Sequence, residues 1–207
     1  MNDSGFLELS NDAGLIATIA LTFNFLLGML LATAYKRSRY WKMLPQIIQR
    51  VDVNSLHNWT AYVALLIAIL HPLLLLLAPS TKFSLLDMLF PVNAPHQKIF
   101  VACGTLSIFA IATVVITTQK AVKSRLSFRI WKNIHLISYG TAILFVVHGV
   151  AMDPQLKDRP VDYFDGEKVL SELCAVILII AGILRYRHFM QMKKQTMHRE
   201  SFQNQDT

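Results

Sequence analysis

The sequence is poor in charged residues and in cysteine. Only 16% of its 207 residues are charged, against about 25% in an average soluble protein. The two cysteines, Cys103 and Cys174, form no C-x-x-C pair, which argues against covalent c-type haem, zinc fingers and thioredoxin-type chemistry. The eight glycines form no G-x-G-x-x-G, so the fingerprint of a dinucleotide-binding fold is missing as well.

The apolar residues are concentrated in long runs. Each is about 20 residues long, which is enough to cross about 30 Å of hydrocarbon. Backbone groups in lipid must form their hydrogen bonds within the segment, so each run is predicted to be a helix. The predicted fold is therefore an all-α, polytopic membrane helix bundle of about five transmembrane helices in a lipid bilayer. The five runs are 13–34, 57–78, 98–118, 133–152 and 167–186.

The net charge of +7 is unevenly distributed along the chain. Fifteen of the 20 basic residues follow the first and third runs or lie at and beyond the end of the fifth, and ten of the 13 acidic residues lie on the other side. The positive-inside rule then places the N-terminus outside and the C-terminus in the cytoplasm of a multi-pass protein of the cell (inner) membrane. Anionic lipid accounts for the positive charge, so no nucleic-acid partner is expected.

This topology divides the chain into three predicted parts. Residues 1–12 form an outer N-terminal segment, residues 13–186 form the transmembrane domain, and residues 187–207 form a basic cytoplasmic tail. Two shorter stretches remain. Residues 40–55 mix apolar and polar side chains and are predicted to lie along the inner interface. Residues 83–90 are too short to span the bilayer and are predicted to cap its outer face.

Four histidines lie at matched depths in two of the runs. His57 and His71 belong to the second run, and His135 and His148 belong to the fourth. Both helices run from inside to outside in the predicted topology. A rise of about 1.5 Å per residue puts the histidines of the second helix near 0 and 21 Å, and those of the fourth near 3 and 22 Å. The four histidines therefore form an inner pair, His57 with His135, and an outer pair, His71 with His148.

Paired imidazoles at equal depth suit haem iron. A neutral imidazole is a good axial ligand, and one from each of two helices can hold a porphyrin between them. Two such sites stacked along the membrane normal give a two-step path for electrons. The four histidines are thus predicted to be metal ligands of two b-type haems. Candidates for binding the haem propionates are Arg50, Arg129 and Lys132 on the inner side and Lys98 and His96 on the outer side, and two aromatic side chains, Tyr139 and Phe145, lie between the ligands.

The two helices differ in the spacing of their histidines. Fourteen residues return a side chain to within about 40° of the same helix face, whereas thirteen miss it by about 140°. The fourth helix is therefore wound differently, or its two ligands approach from different sides. A metal transporter, or a membrane anchor that uses its histidines without haem, is the alternative reading of the same residues.

At these histidines the sequence resembles the ferric-reductase-like transmembrane domain family. That family includes NADPH oxidases, ferric reductases and the membrane subunit of the periplasmic methionine sulfoxide reductase. Its hallmark is two bis-histidine helices, separated by one helix, with spacings of 14 and 13. The phrase FRIWKNIHLISYG around His135 and the phrase LRYR after the last run are also similar to the family. The resemblance covers about residues 50–190 and implies two haems held by the same four histidines.

The sequence also departs from the family's pattern. The family commonly has six spans, against five here, and no flavin or nicotinamide module is recognisable. The resemblance therefore implies a cytoplasmic flavin reductase or quinol as donor, with flavin or quinone supplied by that partner, and a periplasmic or extracellular redox acceptor. Leu75 stands where the oxidases of the family carry a further histidine, which argues against oxygen reduction at the outer haem. Whether the chain is itself an oxidoreductase or only an electron-transfer component stays open.

Overall fold

The computed structural model describes residues 3–33, 35–153, 156 and 166–203. Five long helices dominate this part of the chain, and all five are long and apolar enough to cross a membrane. This finding confirms the predicted all-α, multi-pass fold. The helices are α1 (Asp3–Leu31), α2 (Val53–Leu75), α3 (Lys98–Thr118), α4 (Phe128–Ala151) and α5 (Gly166–Gln203).

Apolar side chains cover the outside of these helices. Ile16, Leu66, Ile143 and Ile179 are all more than half exposed. In water such a surface would be unfavourable, because each apolar side chain left in solvent forgoes roughly 1.5–3 kcal/mol of burial free energy. Hydrocarbon removes that cost, so the exposed surface is the one that a lipid bilayer requires.

The helix ends differ from the predicted runs at both termini. α1 begins at Asp3, ten residues before the first apolar run, so most of the predicted segment 1–12 is helical. α5 continues to Gln203 and takes most of the predicted tail into the same helix. The acidic connection between the fourth and fifth runs, residues 153–166, lies almost wholly outside the described residues.

The helices pack as two close pairs and a fifth helix that contacts both. α1 packs along α2, α3 packs along α4, and α5 lies against α1 and α4. A core of buried apolar residues fills the middle of the bundle. At its centre the rings of Phe25 and Phe145 stack with their centres 5.7 Å apart. Phe145, predicted to lie between the histidine ligands, is buried, whereas Tyr139 is 38% exposed.

Short helices and polar caps shape the connections between the spans. Two four-residue helices, Arg39–Lys42 and Gln46–Gln49, occupy the predicted interfacial stretch, where Tyr40 and Ile47 are largely exposed. Asp52 caps α2, accepting hydrogen bonds from the Ser55 hydroxyl and the Asn54 backbone N–H. The bond from Ser55 lowers the pKa of Asp52, so the cap stays charged at neutral pH and is lost only in acid.

The predicted outer cap is also a short helix, Leu85–Leu89. Ser84 and Asp87 begin it with a reciprocal capping box. Its far end is tied to α3, because the Thr105 hydroxyl donates to the Met88 carbonyl at 2.8 Å. This segment therefore covers one end of the bundle beside α3.

Candidate functional site

The structure brings the four histidines together as two pairs. The ring centres of His57 and His135 are 6.3 Å apart, and those of His71 and His148 are 6.2 Å apart. The ring planes cross at 71° and 70°. These are the pairs that parallel α2 and α4 were expected to form. They are called below the 57/135 pair and the 71/148 pair.

The spacing within each pair fits one metal ion between two imidazoles. A metal–imidazole nitrogen bond is about 2.0–2.1 Å long and Nε2 lies about 1.1 Å from the ring centre, so two imidazoles on opposite sides of one metal have centres about 6.2–6.4 Å apart. Both pairs have this separation. The spacing leaves no room for an intervening side chain, and the rings meet edge to face.

Hydrogen bonds hold three of the four imidazoles in one tautomer. In each case the histidine Nδ1–H donates to a backbone carbonyl of a neighbouring helix. A carbonyl oxygen can only accept, so Nδ1 carries the proton and Nε2 keeps its lone pair for a metal. Metal-binding histidines characteristically have such a second bond. The three bonds are His57 to Asn24 at 3.1 Å, His71 to Ser10 at 2.7 Å and His148 to Phe100 at 2.8 Å.

A glycine lies four residues after each accepting carbonyl. In an α-helix the carbonyl of residue i points toward residue i+4, so a side chain at i+4 would cover it. Without a Cβ the carbonyl stays open, and the imidazole lies directly on the helix. The space is tight: a Cβ would lie 3.1 Å from the His57 ring at Gly28, 3.0 Å from the His71 ring at Gly14 and 2.9 Å from the His148 ring at Gly104. We call each carbonyl–glycine unit a cradle.

The cradles of α1 repeat at the interval of the histidines of α2. Gly14 and Gly28 are fourteen residues apart, as are His57 and His71. Because α1 and α2 run antiparallel, one register serves both contacts. The polar side chains beside the carbonyls reinforce it: the Ser10 hydroxyl donates to the His71 carbonyl at 2.8 Å, and the Asn24 amide donates to the His57 carbonyl at 2.6 Å.

Comparison with known families agrees with this geometry. The sequence profile described as "ferric reductase like transmembrane component" matches residues 13–147, about two thirds of the chain. The chain belongs to this family. The matched region contains His57, His71 and His135 and ends one residue before His148. No curated protein and no solved structure gives a significant match.

Ferric-reductase-like domains generally bind haem, and the two histidine pairs have the donor set that haem needs. A porphyrin supplies four nitrogens to its iron, so the protein has to add only two axial ligands. Each pair offers two. Within the described residues no three His, Cys, Asp or Glu side chains gather into a group that could hold a bare metal ion. The residues present therefore fit haem, as expected of a member of this family.

His135 is the exception among the four imidazoles. Its Nδ1 is buried, and no described group accepts a hydrogen bond from it. Instead the ring stacks on Trp131, with centres 5.4 Å apart and planes 26° apart, and the Lys123 ammonium lies 4.1 Å from the centre of the Trp131 ring. α4 is a regular helix throughout, so the thirteen-residue spacing sends His135 and His148 off different sides of it. Only His148 reaches a cradle on α3.

Most of the side chains that the sequence offered for haem propionates lie on the surface of the bundle. Lys98 is exposed, and His96 packs against Phe83 with ring centres 6.2 Å apart. The three cradle glycines, by contrast, contact the imidazoles directly and were not recognised from the sequence. Their signal was present, because the interval between Gly14 and Gly28 equals that between the histidines of α2. The remaining three candidates for binding haem propionates are also exposed: Arg50, Arg129 and Lys132.

Proposed function

We propose that this ferric-reductase-like component carries electrons across the cell (inner) membrane through two b-type haems. His57 and His135 would hold the inner haem, and His71 and His148 the outer one. The donor would be a cytoplasmic flavin reductase or quinol, and the acceptor a redox protein or ferric chelate at the outer face. This orientation follows the positive-inside rule, with the N-terminus outside and the C-terminus in the cytoplasm.

The observation that carries the proposal is the equal spacing of both imidazole pairs. Each pair has ring centres 6.2–6.3 Å apart, and three of the four rings have Nδ1 bonded to a carbonyl. The bond to the carbonyl leaves Nε2 of each of these three rings available to bind a metal. The two pairs lie fourteen residues apart along α2, about 21 Å along the helix, which is most of the hydrocarbon thickness.

The chain's own residues position the ligands and exclude water. When bound, haem supplies one-electron redox chemistry at its iron. The cradles fix the imidazole planes, and the Nδ1 bonds increase the electron donation of Nε2. Phe25 and Phe145 belong to a core cluster whose described members are all apolar. Electrons would therefore pass without a charged group moving through hydrocarbon.

An absorption spectrum of the purified protein tests the proposal. We expect a reduced-minus-oxidised spectrum with Soret and α bands, and two haems per chain by pyridine haemochrome assay. Protein that is colourless after expression with ample haem would contradict the proposal. It would favour the alternative of a transporter or an anchor without a cofactor, although the described residues hold no three-ligand group to support transport of a metal.

Whether the chain also reduces a substrate is a separate question. Ferric citrate added to the dithionite-reduced, desalted protein would reoxidise both haems within seconds if the outer haem edge is itself the reductase site. Slow reoxidation that a periplasmic fraction accelerates would instead assign the chain the role of an electron-transfer subunit.

Trp131 is expected to hold the one imidazole that lacks a cradle. Trp131→Ala removes the ring stacked on His135 and leaves that ligand free to turn, so we expect haem to be lost about 10–100-fold faster from the 57/135 site. Haem transfer to apomyoglobin measures the rate. Trp131→Phe keeps a stacking ring and should behave as the wild type.

The matched control for this change is Trp59→Ala. Trp59 is 69% exposed and contacts the ring of Tyr62 rather than a histidine. Equal rates of haem loss in Trp131→Ala and Trp59→Ala would show that the stacked ring does not support the ligand.

A further inference from the structure

A cavity of about 260 Å³ lies beside the 71/148 pair. His71 and His148 form part of its wall, which also includes polar side chains of α1 and α5. Three of these, Asn11, Lys168 and Ser171, are called below the polar end of the cavity. The cavity is thus larger than the gap between two imidazoles, and its lining includes polar side chains besides the histidines.

Lys168 is the unusual residue of this polar end. Its side chain is 4% exposed, and among the described residues it is the only charged side chain that is buried. Among the described residues, no group is found to accept a hydrogen bond from its ammonium, and most of the side chains that line the cavity are apolar. A lysine that is mostly buried beside a cavity gains stability when an opposite charge lies next to its ammonium.

The position of Lys168 places its charge near the edge of the 71/148 site. Ser171, one turn along α5, has its hydroxyl 3.7 Å from the Cβ position of Gly149, the residue after His148. Lys168 lies three residues before Ser171, about 4.5 Å along the helix toward the membrane face. It is also the third residue of α5, where free backbone N–H groups and the helix dipole favour an anion.

We propose that Lys168 binds a carboxylate within this cavity, an inference that rests on the proposed haem function. Two sources have this chemistry. One is a propionate of the haem held by His71 and His148, and the other is a free carboxylate ligand such as citrate, which would bring chelated iron to the haem edge. Apolar walls and one buried cation form a site for a single anionic group on an otherwise apolar molecule.

Redox titration of the purified protein, with each haem followed by its spectrum, tests the proposal. Lys168→Gln and Lys168→Met remove the charge, and Lys168→Arg keeps it. Loss of a nearby cation favours the ferric state, so we expect the equilibrium constant for reduction of the 71/148 haem to fall about tenfold, which is about 59 mV for one electron. Lys168→Arg should stay near the wild-type value.

Lys98→Gln is the matched control. It removes one lysine charge close in sequence to the Phe100 cradle, but Lys98 is exposed, so water should screen its effect to less than about twofold. The 57/135 haem serves as an internal reference in every variant, because its retention shows that the bundle has folded. A fall in both neutral variants, or loss of the 71/148 haem alone in them, supports the proposal.

Added citrate separates the two sources. If a propionate occupies Lys168, citrate leaves the potential and the Soret band of the wild-type protein unchanged. If the site takes a free carboxylate, citrate shifts them saturably in the wild type and has no effect in Lys168→Gln. The proposal is overturned if the Lys168 variants match Lys98→Gln and citrate changes nothing. Wild-type protein without haem would instead defeat the proposed function, and thermal stabilisation by citrate would then test Lys168 independently.

Discussion

Replacing His148 by alanine should remove one haem and leave the other in place. Among the described residues His148 has one ring partner, His71, at 6.2 Å, so the loss should be confined to that pair. The pyridine haemochrome assay should fall from two haems per chain to about one, and His71→Ala should give the same product. His57→Ala and His135→Ala should each remove the other haem.

Double variants test the assignment of the histidines to pairs. A double variant within one pair, His71→Ala with His148→Ala, should lose no more haem than either single variant. A double variant across the pairs, His57→Ala with His148→Ala, should lose both haems. His188→Ala is the control, because His188 belongs to neither pair and should keep the full complement. Full loss in a single variant that still inserts and folds would refute two independent sites.

Placing one methyl group on Gly104 should have nearly as large an effect. The Cβ of Gly104→Ala would lie 2.9 Å from two atoms of the His148 ring. The ring must shift, and the shift strains its 2.8 Å bond to the Phe100 carbonyl. We expect the 71/148 haem to bind about 10–100-fold more weakly, as when a metal site loses an outer-shell contact. Gly14→Ala, at 3.0 Å from the His71 ring, should weaken the same haem.

The control for this prediction is another glycine of a transmembrane helix. Gly140 lies on α4 and a Cβ there would meet nothing within 4 Å. Alanine is preferred over glycine within helices by about 1 kcal/mol, so neither variant should lose helix content by circular dichroism. Gly104→Ala with a wild-type spectrum and wild-type rate of haem loss would show that the cradle does not restrain the ligand.

The number of helices and the pairing of histidines follow from the sequence because both depend on length along a helix. Twenty apolar residues span a bilayer wherever they occur, and equal depth needs only a fixed rise per residue. The helix ends are less predictable. Asp3 and Glu8 fall outside any apolar window, yet the α1 helix includes them, since charged residues at the membrane face can continue a helix as well as end it.

The cradles could not be derived because they depend on which helices are neighbours. Apolar runs do not specify that α1 packs along α2, so the equal fourteen-residue intervals in the two helices could not be interpreted as contacts between them. The thirteen-residue spacing left two alternatives for α4. The regular helix from Phe128 to Ala151 selects the one in which His135 and His148 leave it on different sides.

The sequence also could not predict which lysine side chain is buried. Lys168 and Lys98 carry the same charge and both begin a helix, and the positive-inside rule treats them alike. Their difference arises from packing, because α5 lies against α1 and α4 and turns Lys168 inward. Neither hydropathy nor spacing encodes that rotation.

The common interval of Gly14 to Gly28 and His57 to His71 also restricts how this chain can change length. An insertion of one residue between the two glycines would turn one of them about 100° away from its imidazole. A compensating insertion between the two histidines of α2 would then misplace His71 or His57 against its partner on α4. Insertions and deletions are therefore tolerable in the connections, such as residues 40–55, but within the segments between the two cofactor levels three helices would have to change together.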